Sequence, residues 1–212
     1  MLALGVDAAR GGWIAVALED GCFVDAALER RFSALLERYP EAVVAGVDVP
    51  IGLPELGQRR RADIEARAVV GPRRSSVFFT PSRPALEVPT YREARAIAPS
   101  TSAQGWALRS AILDVDGVRD RRVREVHPEV SFAVLAGRPL AFAKRTWNGQ
   151  RERVRLLRGA GIQIPESIDA GLVPADDVLD AAIVAWSATR IGRGEHLTIP
   201  ADPEPGEPVI HA

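Results

Sequence analysis

Apolar residues run from Leu2 to Val6 and stop at Asp7; after Gly11 and Gly12 a second apolar run extends from Trp13 to Leu18. A glycine pair between two such runs closes a hairpin, so both runs read as antiparallel strands. Glu19-Asp20-Gly21 breaks the chain again before Cys22, Phe23 and Val24, which adds the third strand of a meander. The period then changes. Phe32, Leu35, Leu36 and Tyr39 fall on one face of a helix that stops before Pro40. Ala42 to Val47 is a continuous apolar run leading into Asp48 and the turn Val49-Pro50-Ile51-Gly52, the pattern of a buried strand. A strand reached through two hairpins and a crossover helix returns beside the first strand in parallel. Both strands then end in an aspartate on one edge of the sheet.

Residues 52 to 120 read as an irregular insertion, with a helix around Asp63 to Val70 and a Pro- and Arg-rich loop from Gly71 to Pro84. A second helix is expected within it, because Gln104, Ala107, Leu108, Ala111, Ile112 and Val115 keep the 3.6-residue period. Val123 to His127 form a fifth short strand, and Pro128 opens a helix with Glu129 in its first turn. A short helix holds Val154 and Leu157, and the last runs from about Ala175 to Ile191. That helix is apolar nearly all round after Asp180, which marks it as buried. The pattern predicts one α/β domain over residues 1 to 200, with a mixed sheet of a three-strand antiparallel meander plus parallel strands, flanked by helices. Residues 201 to 212, rich in Pro and Glu, are expected to be a loosely held tail.

Composition narrows the function classes. With 212 residues and 47% hydrophobic content the chain can fill one sizeable core. A formal net charge of -1 requires any nucleic-acid surface to be local. Cys22 is the only cysteine, which excludes an internal disulfide and a cysteine-rich zinc site and suits a reducing compartment, so the cytoplasm is expected. The longest late apolar run, Ala181 to Ala188, is too short to cross a bilayer, and no membrane association is expected.

The chemistry lies in the carboxylates. Neighbouring strands lie about 4.8 Å apart, so Asp7 and Asp48 at matched strand ends place two negative charges nearly in contact. Either one pKa rises or a divalent cation neutralises the site, and hard oxygen ligands select Mg²⁺ or Mn²⁺. Asp177 and Asp180 share a face at the start of the last helix, and Asp176, one step off it, serves as N-cap and helix-dipole partner. Asp7, Asp48, Glu129 and Asp180 are the expected metal ligands, and the same four with Asp177 the expected catalytic set. Such a cluster on α/β strand ends is what two-metal phosphodiester hydrolysis uses. Arg73, Arg74, Ser75, Ser76 and Lys144 can hold the phosphate of a nucleic acid or nucleotide.

Each residue also has an ordinary role. Asp7 and Asp48 suit turns, Arg73 and Arg74 a solvated loop, and His127 a hydrogen-bonded strand position. Asp180 is the exception, since an acid one turn into a buried helix needs a partner.

An ordered series of segments resembles the domain-of-unknown-function family 429, described as predicted ribonuclease H-like nucleases. The segments are Gly5-Val6-Asp7 with Arg10-Gly11-Gly12-Trp13, Val47 to Pro54, and Pro72 to Phe78 with Thr80-Pro81. Glu125 to Phe132, Lys144 with Thr146 and Gly149, and Asp176 to Ala181 follow. The resemblance implies a ribonuclease H-like sheet with Asp7 on the first strand, Asp48 after the fourth and acids on the final helix, a layout similar to that of Holliday-junction resolvases. Two other classes stay open: an ATP-dependent small-molecule phosphotransferase and a non-catalytic binding module. Monomer and homodimer are equally compatible with the sequence.

Overall fold

Alternation along the strands decides which layer each side chain enters. The computed structural model describes residues 1–212. Strands β1 (Leu2–Ala9), β2 (Gly12–Glu19) and β3 (Cys22–Glu29) form the antiparallel meander. Gly11, at φ 90°, closes the first turn in a conformation that side chains with a Cβ rarely adopt. Helix α1 (Phe32–Arg38) crosses over to β4 (Val44–Val47), which lies parallel to β1 with Val6 opposite Val47. A last strand, β5 (Val123–Glu125), lies parallel to β4, so the sheet order is β3-β2-β1-β4-β5. This is the mixed α/β architecture expected from the sequence.

On one face Leu4, Val6, Ala15, Ala17, Ala45 and Val47 pack against Phe32, Leu35 and Leu36 of α1. On the other face Ile14, Val16 and Leu18 pack against the long helix α9 (Ala175–Arg193) through Leu179 and Ile183. Burial of each large apolar side chain in these layers contributes about 1.5–3 kcal/mol. Gly5 and Gly46 fall on this second face, one strand apart. A Cβ on Gly5 would meet Ala185 N at 2.0 Å and Ala181 O at 2.1 Å, and one on Gly46 would meet Val184 Cγ1 at 2.9 Å. The helix therefore rests on the strand backbone itself. Helices α7 (Pro128–Ala136) and α8 (Trp147–Gly159) flank it, and α8 is longer than its Val154 and Leu157 alone suggest.

The insertion carries more helix than expected. Helix α2 (Arg61–Val69) and a 3₁₀ segment, Gly71–Ser76, inside the stretch read as loop, precede two short helices, α3 (Arg83–Glu87) and α4 (Tyr91–Ile97), that were not expected within the irregular insertion. Thr90 and Glu93 form a reciprocal capping box at the start of α4, a signal legible in the sequence. The single helix expected over 104–115 is two, α5 (Ala103–Ala107) and α6 (Arg109–Asp116), broken at Leu108. Its apolar residues serve two packings. Trp106 lies tilted against Tyr91 with ring centroids 5.9 Å apart, whereas Ile112 and Val115 join the core beneath α1.

The tail also departs from expectation. Ala201 to Gly206 are exposed, but Ile210–His211 (β7) pairs with Thr198–Ile199 (β6), and Ile210 and Ala212 are buried. Their apolar side chains fill a cluster with Ala62, Ala66 and Val130.

Candidate metal centre

Three carboxylates converge where β1, β4 and α9 meet. In β1 the odd positions Ala3, Gly5 and Asp7 face α9, and in β4 the even positions do so, which continues to Asp48. The Asp48 amide donates to Val6 O at 2.9 Å, extending the parallel ladder by one residue. Asp7 Oδ1 accepts from the amide of Ala8 at 2.7 Å. Asp180 sits just before Ala181, so the close seat of the helix on Gly5 brings its carboxylate over the strand ends. One carboxylate oxygen from each of Asp7, Asp48 and Asp180 lies within 4.8 Å of the others.

Such a group resists full ionisation. Burial, then repulsion from Asp48 and Asp180, holds the Asp7 carboxyl well above its ordinary range. Burial pushes Asp48 up to about 7 against the pull of Lys144, with Glu125 and Glu129 adding to the rise. Asp180 is likewise raised to about 7, chiefly by burial, while Lys144 opposes the shift. The Lys144 ammonium bonds to Asp180 Oδ2. Burial works against its charge, but Asp180, Asp7 and Asp48 outweigh that effect and raise its pKa. One ammonium among three acids leaves a site that a further cation would complete, and every donor is a hard oxygen.

The other expected site residues are placed differently. Glu129 stands outside the trio: its Oε1 accepts from Arg153 Nη2 at 2.6 Å, with Arg73 Nη2 at 3.8 Å. Arg153 is fully buried, so Glu129 neutralises a guanidinium rather than standing free as a ligand. Asp177 is half-buried, and its pKa is raised by burial and by neighbouring Asp176. The N-cap of α9 is Pro174, so Asp176 is not the cap expected; it lies in the first turn and accepts from Arg145 Nε at 3.1 Å.

A cavity of about 130 Å³ opens beside the aspartates, its wall formed by Asp48, Asp180, Lys144, Arg73, Ser76 and His127. Lys144 reaches the cavity but commits its charge to Asp180. Arg74 and Ser75 are exposed and do not line it. Arg73 Nε is buried with no hydrogen-bond partner, and so is His127 Nδ1. The sequence pattern predicts a hydrogen-bonded strand residue at His127; the ring does bond to the Ser76 backbone, but the residue follows β5 as the N-cap of α7, and burial lowers its pKa, which favours the neutral ring.

Sequence reasoning missed a buried ionic network behind the site. Arg60 Nη2 lies 2.6 Å from both Asp63 Oδ1 and Glu125 Oε1. Glu125 Oε2 accepts from Ile51 N at 2.7 Å, and Arg60 Nη1 donates to Ile51 O at 3.0 Å. Asp63 in turn accepts from Thr80 N at 2.8 Å. The turn after Asp48 is thus pinned to β5, α2 and the Thr80 segment at once. Glu125 stands opposite Val47 in β5, one position short of the line of Asp48, and its place at the end of a third parallel strand was the available signal.

No helix is long and apolar enough to cross a membrane. The chain belongs to the family described as "Protein of unknown function (DUF429)", which matches residues 5–205. No curated protein and no solved structure matches it.

Proposed function

We propose that this DUF429 chain is a divalent-metal-dependent phosphodiester hydrolase of the ribonuclease H-like type, acting on a nucleic acid or nucleotide. The observation that carries the proposal is the trio Asp7, Asp48 and Asp180, drawn from two adjacent parallel strands and a helix to within 4.8 Å and short of positive charge. Mg²⁺ or Mn²⁺ held by these three would lower the pKa of a bound water and neutralise charge on the phosphate. The chain supplies the rest. Lys144 favours the ionised form of Asp180 against the effect of burial and orients it. Arg73, with an uncommitted Nε at the cavity wall, can donate to a phosphate oxygen. His127, favoured as the neutral ring, has a free Nδ1 that can take or return a proton. Glu129, itself fixed by Arg153, lies behind these groups and attracts the Arg73 guanidinium from 3.8 Å.

The test is calorimetric titration of Mn²⁺ into wild type and Asp7→Asn, with hydrolysis of bis-p-nitrophenyl phosphate and oligonucleotides followed in parallel. Wild type should bind Mn²⁺ with release of protons and hydrolyse a diester, and Asp7→Asn should do neither while keeping its fold. A wild-type chain that binds no divalent cation would leave the non-catalytic reading in its place.

A further inference from the structure

The arginines of α8 divide between the interior and one outward face. Glu152, Arg153 and Leu157 turn inward, whereas Arg151, Arg155 and Arg158 lie exposed on one face at spacings of four and three residues. None of these exposed arginines makes an ion pair with the chain's own acids. Arg138 and Phe142, from the segment leading into the helix, join them with Asn148 around a groove of about 570 Å³. The one acid on that groove, Glu152, is buried and already bonded to Arg138 at 2.8 Å. In a chain of net charge -1 this is a concentrated positive field.

Aromatic surface lies at its edge: Phe142 lines the groove, and Trp147 borders an adjoining hollow that shares Arg151 and Arg158 with it. Trp147, the first residue of α8, is 74% exposed, and Phe142 is 45% exposed. Arg151 lies over the Trp147 ring at 5.5 Å from its centroid. A large indole left in water beside unpaired guanidinium groups is the combination that takes a nucleobase on its face and the following phosphates on the arginines. A duplex keeps its bases stacked and offers none to Trp147. A lipid surface would call for an apolar face turned outward, and α8 turns its leucines inward.

We propose that this groove binds single-stranded nucleic acid, with a base on Trp147 and the backbone along Arg151, Arg155 and Arg158. Lys144, three residues before Trp147, reaches Asp180, so the segment leading into α8 spans from the groove's edge to the carboxylate trio, and a strand that follows it from Trp147 would meet the metal centre. That last step rests on the proposed function; the binding surface does not.

Fluorescence anisotropy of a fluorescein-labelled oligothymidylate of about 20 nucleotides, with the full-length chain in EDTA, tests the surface. Wild type should bind with an affinity that falls steeply with salt. Trp147→Ala should weaken binding about tenfold or more. Arg151→Gln with Arg155→Gln should lower the slope of log affinity against log salt by about 1.4, since each phosphate contact on a single strand contributes about 0.7. Circular dichroism checks that these surface variants remain folded. Asp7→Asn should bind as wild type in EDTA, which separates the surface from the metal chemistry: binding without hydrolysis overturns only the proposed function. No binding up to about 100 µM at low salt, unchanged affinity in both groove variants, or binding to phosphatidylserine vesicles but not to the oligonucleotide overturns the groove assignment.

Discussion

Asp48→Asn isolates the electrostatic cost of the carboxylate trio, because the Asp48 side chain makes no hydrogen bond whose loss would blur the result. Its folded pKa is about 7, against an ordinary value of 3.8. A carboxyl raised on folding contributes most below about pH 4, and that contribution is lost as pH rises through 7. At pH 8 the metal-free wild type has therefore given up at most about 4 kcal/mol at this residue, over half of it between pH 5 and pH 8. Partial exposure of the side chain screens the effect, so about 2 kcal/mol is the working figure. A neutral amide at this position has no charge to desolvate and escapes the loss. In EDTA the variant should melt roughly 4–8 °C above wild type at pH 8, with a much smaller gap at pH 5. Saturating Mn²⁺ should invert the order at pH 8, because only wild type gains stability by binding, about 2.7 kcal/mol at a hundredfold excess over Kd. Differential scanning calorimetry at both pH values measures each quantity. A gap that is the same at pH 5 and pH 8, together with no response to Mn²⁺, would refute the argument.

Lys144→Met removes the cation among the trio; in EDTA the variant should lose stability relative to wild type as pH rises from 5 to 8, read by thermal melts, while Mn²⁺ titration should show tighter binding. Arg60→Met strands Glu125 and Asp63 in the interior and should cost about 3–5 kcal/mol in urea unfolding, a loss that adding Glu125→Gln partly recovers. Gly5→Ala drives a methyl into the backbone of α9 and should destabilise the fold by about 3 kcal/mol or more, with Mn²⁺ affinity falling in any fraction that folds.

Periodicity was a sound guide wherever one side of an element faced water and the other a single neighbour. Only α1 satisfies that condition; β1, β2 and β4 are buried on both faces and were legible instead as unbroken apolar runs bounded by turn residues, and because parallel neighbours align their ends, Asp7 and Asp48 could be placed together from the sequence. Asp180 was legible for a different reason: an acid in a helix buried nearly all round has nowhere polar to go except a site. The failures share a cause as well. Glu129 looked equivalent to the aspartates, but its partner Arg153 lies 24 residues away on another helix, and no local pattern reveals which buried acid has a guanidinium waiting. Gln104 to Val115 kept one helical period while Trp106 and Ile112 answered to different neighbours. Ile210 and Ala212 were hidden in a tail whose composition suggested solvent, since a few apolar residues suffice to dock an end once a pocket exists for them.

Helix α9 carries Asp180, while Asp7 and Asp48 come from the first quarter of the chain. During synthesis the strands are therefore in hand long before the trio is complete, and a polypeptide stopped anywhere short of residue 180 lacks a ligand however well its sheet has formed. The cluster of three carboxylates forms only with the docking of the last long segment on Gly5 and Gly46, so the centre does not exist while most of the chain is still being made.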